Sequence, residues 1–189
     1  AARKREESGH EILYLCQDMR EFELYGTVRA IVCVCDSMNY ILEEEDLLQV
    51  FRLVNNYLDP GGVFIFDLNT AYKYREVLGE QTIAENREDA SFIWDNYYDP
   101  DEQINESDLA LFIPETIQGE TLYRKYEETH YQRAYEIENV KEMLEQAGME
   151  FVAVYDAFTH EAPKPVSERV YFIAREKGKQ LENKDKKEI

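Results

Sequence analysis

Apolar positions along the chain follow two periods, and each predicts a set of elements. Continuous apolar runs occur at 11–16 (EILYLC), 30–35 (AIVCVC) and 63–68 (VFIFDL). All three read as strands, and the last two have the unbroken character of strands buried on both faces. Helical spacing of Leu47, Val50, Phe51 and Val54 predicts a helix over 43–57. The same spacing of Ile137, Val140, Leu144 and Ala147 predicts a helix over about 136–147, stopped by Gly148. Residues 1–8 read as the end of a helix, broken at Ser8-Gly9-His10.

Between these elements, Asp59-Pro60-Gly61-Gly62 is a turn signal, because proline presets the first turn position and glycine supplies positive φ at the next. Helix, strand, strand, helix, strand is the order of an α/β domain with a parallel sheet. The pattern then changes. Residues 90–98, 103–113 and 121–133 are aromatic-rich and partly alternating, which predicts an antiparallel insertion over about 88–133. Strands at about 149–156 and 168–175, joined by a loop with Pro163 and Pro165, close a single domain over 1–175. The charged stretch 176–189 is expected to be a disordered tail.

Composition narrows the function classes. Forty acidic residues against 21 basic ones give a net charge of −19. Such a field repels nucleic-acid phosphates and anionic membranes, so neither partner is expected; a small molecule is. No stretch has the length of a membrane span, and no signal peptide is expected in the first residues, whose charges are followed by no apolar run. Cys16, Cys33 and Cys35 show no disulfide spacing and are expected to be core thiols in a reducing, cytoplasmic setting. Three histidines are too few to suggest a metal site.

Three segments place polar groups where predicted strands end, the position at which open α/β sheets bind ligands. Gln17-Asp18-Met19 follows EILYLC, and Asp18 offers either a carboxylate to a ligand amino group or a turn-forming cap. Asp36-Ser37-Met38-Asn39-Tyr40 follows AIVCVC and leads toward the next helix, so it is also readable as a capped turn. Asp67 and Asn69 emerge from VFIFDL and either face a substrate or satisfy local backbone groups.

The succession of QDM, CDSMNYI and LDPGGVFIFDLNT resembles the class I S-adenosylmethionine-dependent methyltransferases, as does the closing pair VKEMLEQAGMEFVAVYDAF and RVYFIAR. The insertion, ending in HYQRAY, is similar to that of bacterial small-molecule N-methyltransferase-like proteins. The resemblance implies a Rossmann-like, mostly parallel sheet of seven strands whose last strand is antiparallel, and S-adenosyl-L-methionine as cofactor. It places Asp18 and Met19 at the adenine, Cys35 and Asp36 at the methionine and sulfonium end, and Tyr40 beside the transferred methyl group. Asn39, Asp67 and Asn69 would border the acceptor under a roof formed by the insertion. There His130 and Arg133 would be its polar contacts, with Tyr40 and His130 as the catalytic pair; a lone His or Arg on a strand is also readable as structural.

The family's glycine-rich turn finds no counterpart in these residues, so the chain is expected to begin in the helix before the family's third strand. EILYLC and AIVCVC would then not be neighbours. The free edge of AIVCVC would aggregate, pair with a second copy, or take EILYLC as its partner. A small-molecule methyltransferase is therefore the leading expectation, with the isolated chain inactive. A non-catalytic methyltransferase-like module that needs a partner chain is the alternative. A nucleotide-binding dehydrogenase is disfavoured by the antiparallel closing strands.

Overall fold

The computed structural model describes residues 2–179. It has two four-stranded sheets. After helix α1 (Ala2–Ser8), the first sheet takes β1 (Val28–Cys33), β2 (Leu58–Asn69), β7 (Met149–Asp156) and β8 (Arg169–Glu176), in the order β1-β2-β8-β7. β1 and β2 run parallel, and β8 is antiparallel to both its neighbours. Helices α2 (Glu44–Tyr57) and α3 (Ile137–Gln146) join one core with it. The expected face of α2, Leu47, Val50, Phe51 and Val54, is buried, as are Val140 and Leu144 of α3. Phe66 sits at the centre, 4.7 Å from the ring of Phe64 and 5.0 Å from that of Phe172. Burying each such side chain stabilises the fold by roughly 1.5–3 kcal/mol. Gly148 ends α3 with φ +83°, as its position predicts.

The second sheet is the insertion. β3 (Thr82–Asn86), β4 (Ser91–Asp99), β5 (Ile104–Ile117) and β6 (Glu120–Arg133) form an antiparallel meander in sequence order. Three of these strands are legible in the sequence; β3 is not, since Thr82–Asn86 is short and mostly exposed. A π-helical turn, Lys73–Leu78, connects the two sheets.

Several expectations are corrected. EILYLC forms no strand: Ile12, Leu13, Tyr14 and Leu15 are exposed, and among the described residues no strand pairs with them. It does not repack beside β1 either. AIVCVC is not buried on both faces. Among the described residues β1 pairs only with β2, so it is an edge strand, and Val32 and Val34 stand 59% and 46% exposed. Cys16 and Cys35 are exposed and Cys33 is half-buried, so they are not a set of core thiols. Desolvation of the half-buried Cys33 raises its thiol pKa.

The Asp59-Pro60-Gly61-Gly62 turn becomes a bulge within β2, since Leu58 lies opposite Val28 and Val63 opposite Ala30. Gly61 adopts φ +70°, and a Cβ on Gly62 would lie 2.9 Å from the Asp59 carbonyl oxygen. Part of the charged stretch 176–189 is placed by the fold. Glu176 is the buried last residue of β8 and accepts from the Gly61 N–H at 2.9 Å. Lys179 Nζ donates to the carbonyls of Asn55, Asn56 and Leu58, capping the end of α2. The rest of that stretch, 180–189, lies outside the described residues. No described helix is long and apolar enough to cross a membrane.

Candidate active site

The carboxyl ends of β1 and β2 and the start of β8 meet the inner face of the insertion. Leaving β1, the chain turns through two successive left-handed residues, Cys35 at φ 67° and Asp36 at φ 51°. Non-glycine residues adopt this conformation at a cost of about 1–2 kcal/mol each. Hydrogen bonds at Asp36 hold the corner. Its N–H donates to the Asp67 carboxylate at 3.1 and 3.2 Å. Its own carboxylate accepts from Gln132 Nε2 at 2.8 Å and Arg169 Nη2 at 2.7 Å. Arg169 also pairs through Nη1 with Asp67, whose side chain is 1% exposed. One guanidinium thus bridges two carboxylates, one from the corner after β1 and one from β2.

Asn39 is the second hub. It is fully buried; its Nδ2 donates to the carbonyls of Asn69 and Arg133 at 3.1 and 2.8 Å, and its Oδ1 accepts from the Asn69 N–H at 2.9 Å. Asn39 therefore ties the ends of β2 and β6 to the 3-10 turn Ser37–Tyr40.

Above this floor lies a cavity of about 500 Å³. Phe92, Trp94, Leu109 and Leu111 of the insertion form an apolar wall, and Asp36, Tyr40, Asn69, Lys73, His130 and Gln132 a polar one. The Tyr40 hydroxyl is 3.3 Å from His130 Nδ1, and His130 Nε2 is 3.3 Å from a Glu128 carboxylate oxygen. Desolvation, with Asp36 and Glu128 adding to it, raises the Tyr40 pKa. Tyr40 therefore keeps its proton, and its hydroxyl can donate to Nδ1 in the His130 tautomer that carries its proton on Nε2, facing Glu128.

A second groove, of about 520 Å³, is lined by Gln17, Asp18, Met19, Ile41 and Leu42 among others, and Tyr40 lines this groove as well as the cavity. Arg20 grips Asp18 through Nε at 3.0 Å, Nη2 at 2.7 Å and its backbone N–H at 2.9 Å. These hydrogen bonds pull the Asp18 carboxyl down to about 2. A carboxylate has about four acceptor positions, so Asp18 can still receive an amino group. Apolar Met19, Ile41 and Leu42 beside an ionised carboxylate suit an adenine ring.

The expected residues divide. Asp18, Met19 and Tyr40 line the second groove; Tyr40, His130 and Asn69 line the cavity. Asp36, which the resemblance places at the methionine end of the cofactor, lines the cavity. Cys35 is exposed and does not line either space. Asn39 and Asp67 are buried beneath the site, with their polar atoms committed to neighbours. Arg133 turns away: its Nη1 donates to the Leu42 carbonyl at 2.7 Å, and its guanidinium lies over the Tyr135 ring. Three residues are missing from the sequence reading. Arg169 is the first residue of β8, and only the β2–β8 register brings it beside Asn69. Lys73 opens the π-helical turn, and Trp94 needs the sheet order to be seen as cavity wall. Among the described residues no cluster of three or more His, Cys, Asp or Glu could hold a metal ion.

No family model matches the chain. Two curated relatives do. The Bacillus subtilis (strain 168) protein named "Putative methyltransferase YqeM" is 35% identical over 175 residues, spanning 92% of this chain and 69% of that protein. A protein of Geobacillus sp. (strain WCH70), also named a "Putative methyltransferase", is 32% identical over 176 residues, with 93% and 70% coverage. The crystal structure of an S-adenosylmethionine-dependent methyltransferase from Clostridium acetobutylicum ATCC 824 superposes with a TM-score of 0.84 at 27% identity, covering 94% of this chain and 70% of that one. With its strand order, its ligand-side loops and these relatives, the chain belongs to the class I S-adenosylmethionine-dependent methyltransferase family. The family's cofactor is S-adenosyl-L-methionine.

Proposed function

We propose that this protein transfers a methyl group from S-adenosylmethionine to a nitrogen or oxygen of a small molecule held in the insertion-roofed cavity. The observation that carries the reading is Tyr40, which lines both the Asp18 groove and the cavity. A donor in one space and an acceptor in the other would meet at its side chain. Bound in the groove, the cofactor supplies an electrophilic methyl on sulfur for in-line displacement. The residues of this chain do the rest. Asp18 and Met19 orient the adenine end. The apolar wall excludes water and aligns the acceptor, which is the main catalytic contribution in such a displacement. The acceptor's proton passes to the Tyr40 oxygen as the Tyr40 proton moves to His130 Nδ1, and Glu128 stabilises the imidazolium formed.

Calorimetry with S-adenosylhomocysteine tests this division. Asp18→Ala weakens binding, while His130→Ala leaves it unchanged and lowers methyl transfer. Equal loss of binding in both variants contradicts the reading; no binding by the starting protein bears out the expectation that the isolated chain is inactive.

A further inference from the structure

Lys73 lines the acceptor cavity, and a neighbouring groove with Glu168 and Arg169, without a direct ion pair. Its Nζ donates to Asn69 Oδ1 at 3.0 Å, a neutral partner, and no described carboxylate lies within 4.0 Å of it. The two acids at the cavity floor, Asp36 and Asp67, are already bridged by Arg169. Burial, assisted by Arg169, lowers the Lys73 pKa and outweighs the opposing pull of the Asp36, Glu168 and Asp67 carboxylates, none of which pairs with it directly. Its backbone sits at the first residue of a π-helical turn, a distortion frequent at functional sites. Opposite it stands the wall of Phe92, Trp94, Leu109 and Leu111.

Building on the acceptor-cavity reading, we propose that this cavity selects a molecule with an aromatic or alkyl body and a carboxylate-class anion, the anion seated on Lys73. A single ammonium suits a monoanion. A phosphate dianion is better matched by a guanidinium fork or a nest of N–H groups, and the nearby Arg169 already pairs with both Asp36 and Asp67. The net charge of −19 does not oppose this at close range, because physiological salt screens exposed charges beyond about 8 Å.

Trp94 is the protein's single tryptophan and lines the cavity, so its fluorescence reports occupancy without any need for cofactor or turnover. Three probes of matched shape are titrated: 3-phenylpropanoate, 3-phenylpropanamide and 3-phenylpropylamine. The acid is expected to bind about tenfold tighter than the amide, equivalent to about 1.4 kcal/mol, and the amine more weakly than both. Lys73→Met brings the acid down to the amide's affinity and leaves the amide unchanged, which shows the cavity intact. Lys73→Arg keeps the preference. Equal binding of acid and amide by the starting protein, or a preference that survives Lys73→Met, overturns the proposal. Absence of any Trp94 response to all three probes overturns the acceptor-cavity reading itself, and this proposal with it.

Discussion

The two sides of the site are built differently. On the acceptor side, five segments converge: the corner after β1, the 3-10 turn, the ends of β2 and β6, and the start of β8. Their polar groups bond across 30 to 133 residues of sequence, with Asp36, Asn39 and Asp67 as hubs. On the cofactor side, the polar contacts of the groove wall at Gln17–Arg20 are mostly local, Arg20 to Asp18 and Gln17 to Glu23; Arg20 to Asp46 at 3.3 Å reaches farther, and Met19 packs against the core. The preceding EILYLC stretch is exposed. One side is held by a long-range polar network and the other by local polar contacts and apolar packing. The acceptor side should therefore tolerate polar substitution poorly, and the cofactor side should absorb it.

The largest effect is expected at Arg169. Arg169→Met leaves Asp67 buried and Asp36 half-buried with no cation, and should cost about 3–5 kcal/mol in urea denaturation. Adding Asp67→Asn should recover part of the loss; no recovery would mean that Arg169 acts mainly by packing. Asn39→Ala strands three backbone groups, one N–H and two carbonyls, and should cost about 2–3 kcal/mol by the same measurement. A cost near zero at either position would remove the contrast between the two sides.

Activity gives the next tier. His130→Ala should lower kcat by about a hundredfold with little change in the denaturation midpoint, because the ring is partly exposed and contacts the fold chiefly through Tyr40 and Glu128. The smallest effect on stability belongs to Asp18. Its carboxyl is lowered to about 2, so any stabilisation it gives is present above the unfolded carboxylate range and is lost only as pH falls through about 2. Being exposed, the Asp18–Arg20 pair is screened, and Asp18→Ala should leave the midpoint in place while weakening cofactor binding. The Asp18 contribution to cofactor affinity should stay flat between about pH 5 and 8.

The same contrast explains what the sequence could show. Periodicity alone locates α2 and α3, because Leu47, Val50, Phe51 and Val54 share one buried face. It misjudges EILYLC and AIVCVC, since an apolar run states a capacity for burial and neighbouring strands decide whether burial occurs. Residues with one local job are legible: Asp18 lies just after an apolar run and lines a groove. Residues whose job depends on register are not. Nothing near Arg169 in sequence marks it as the bridge between Asp36 and Asp67. Asn39 and Arg133 look like substrate contacts until the fold shows their hydrogen bonds turned toward the protein's own carbonyls.

The central claim is that donor and acceptor meet at Tyr40. A crystal structure of the protein with S-adenosylhomocysteine tests it most directly. The account predicts adenine against Asp18 and Met19, with the sulfur facing Tyr40 at the opening of the Trp94 cavity. A ligand bound away from Tyr40, or adenine seated in the insertion cavity, would contradict it.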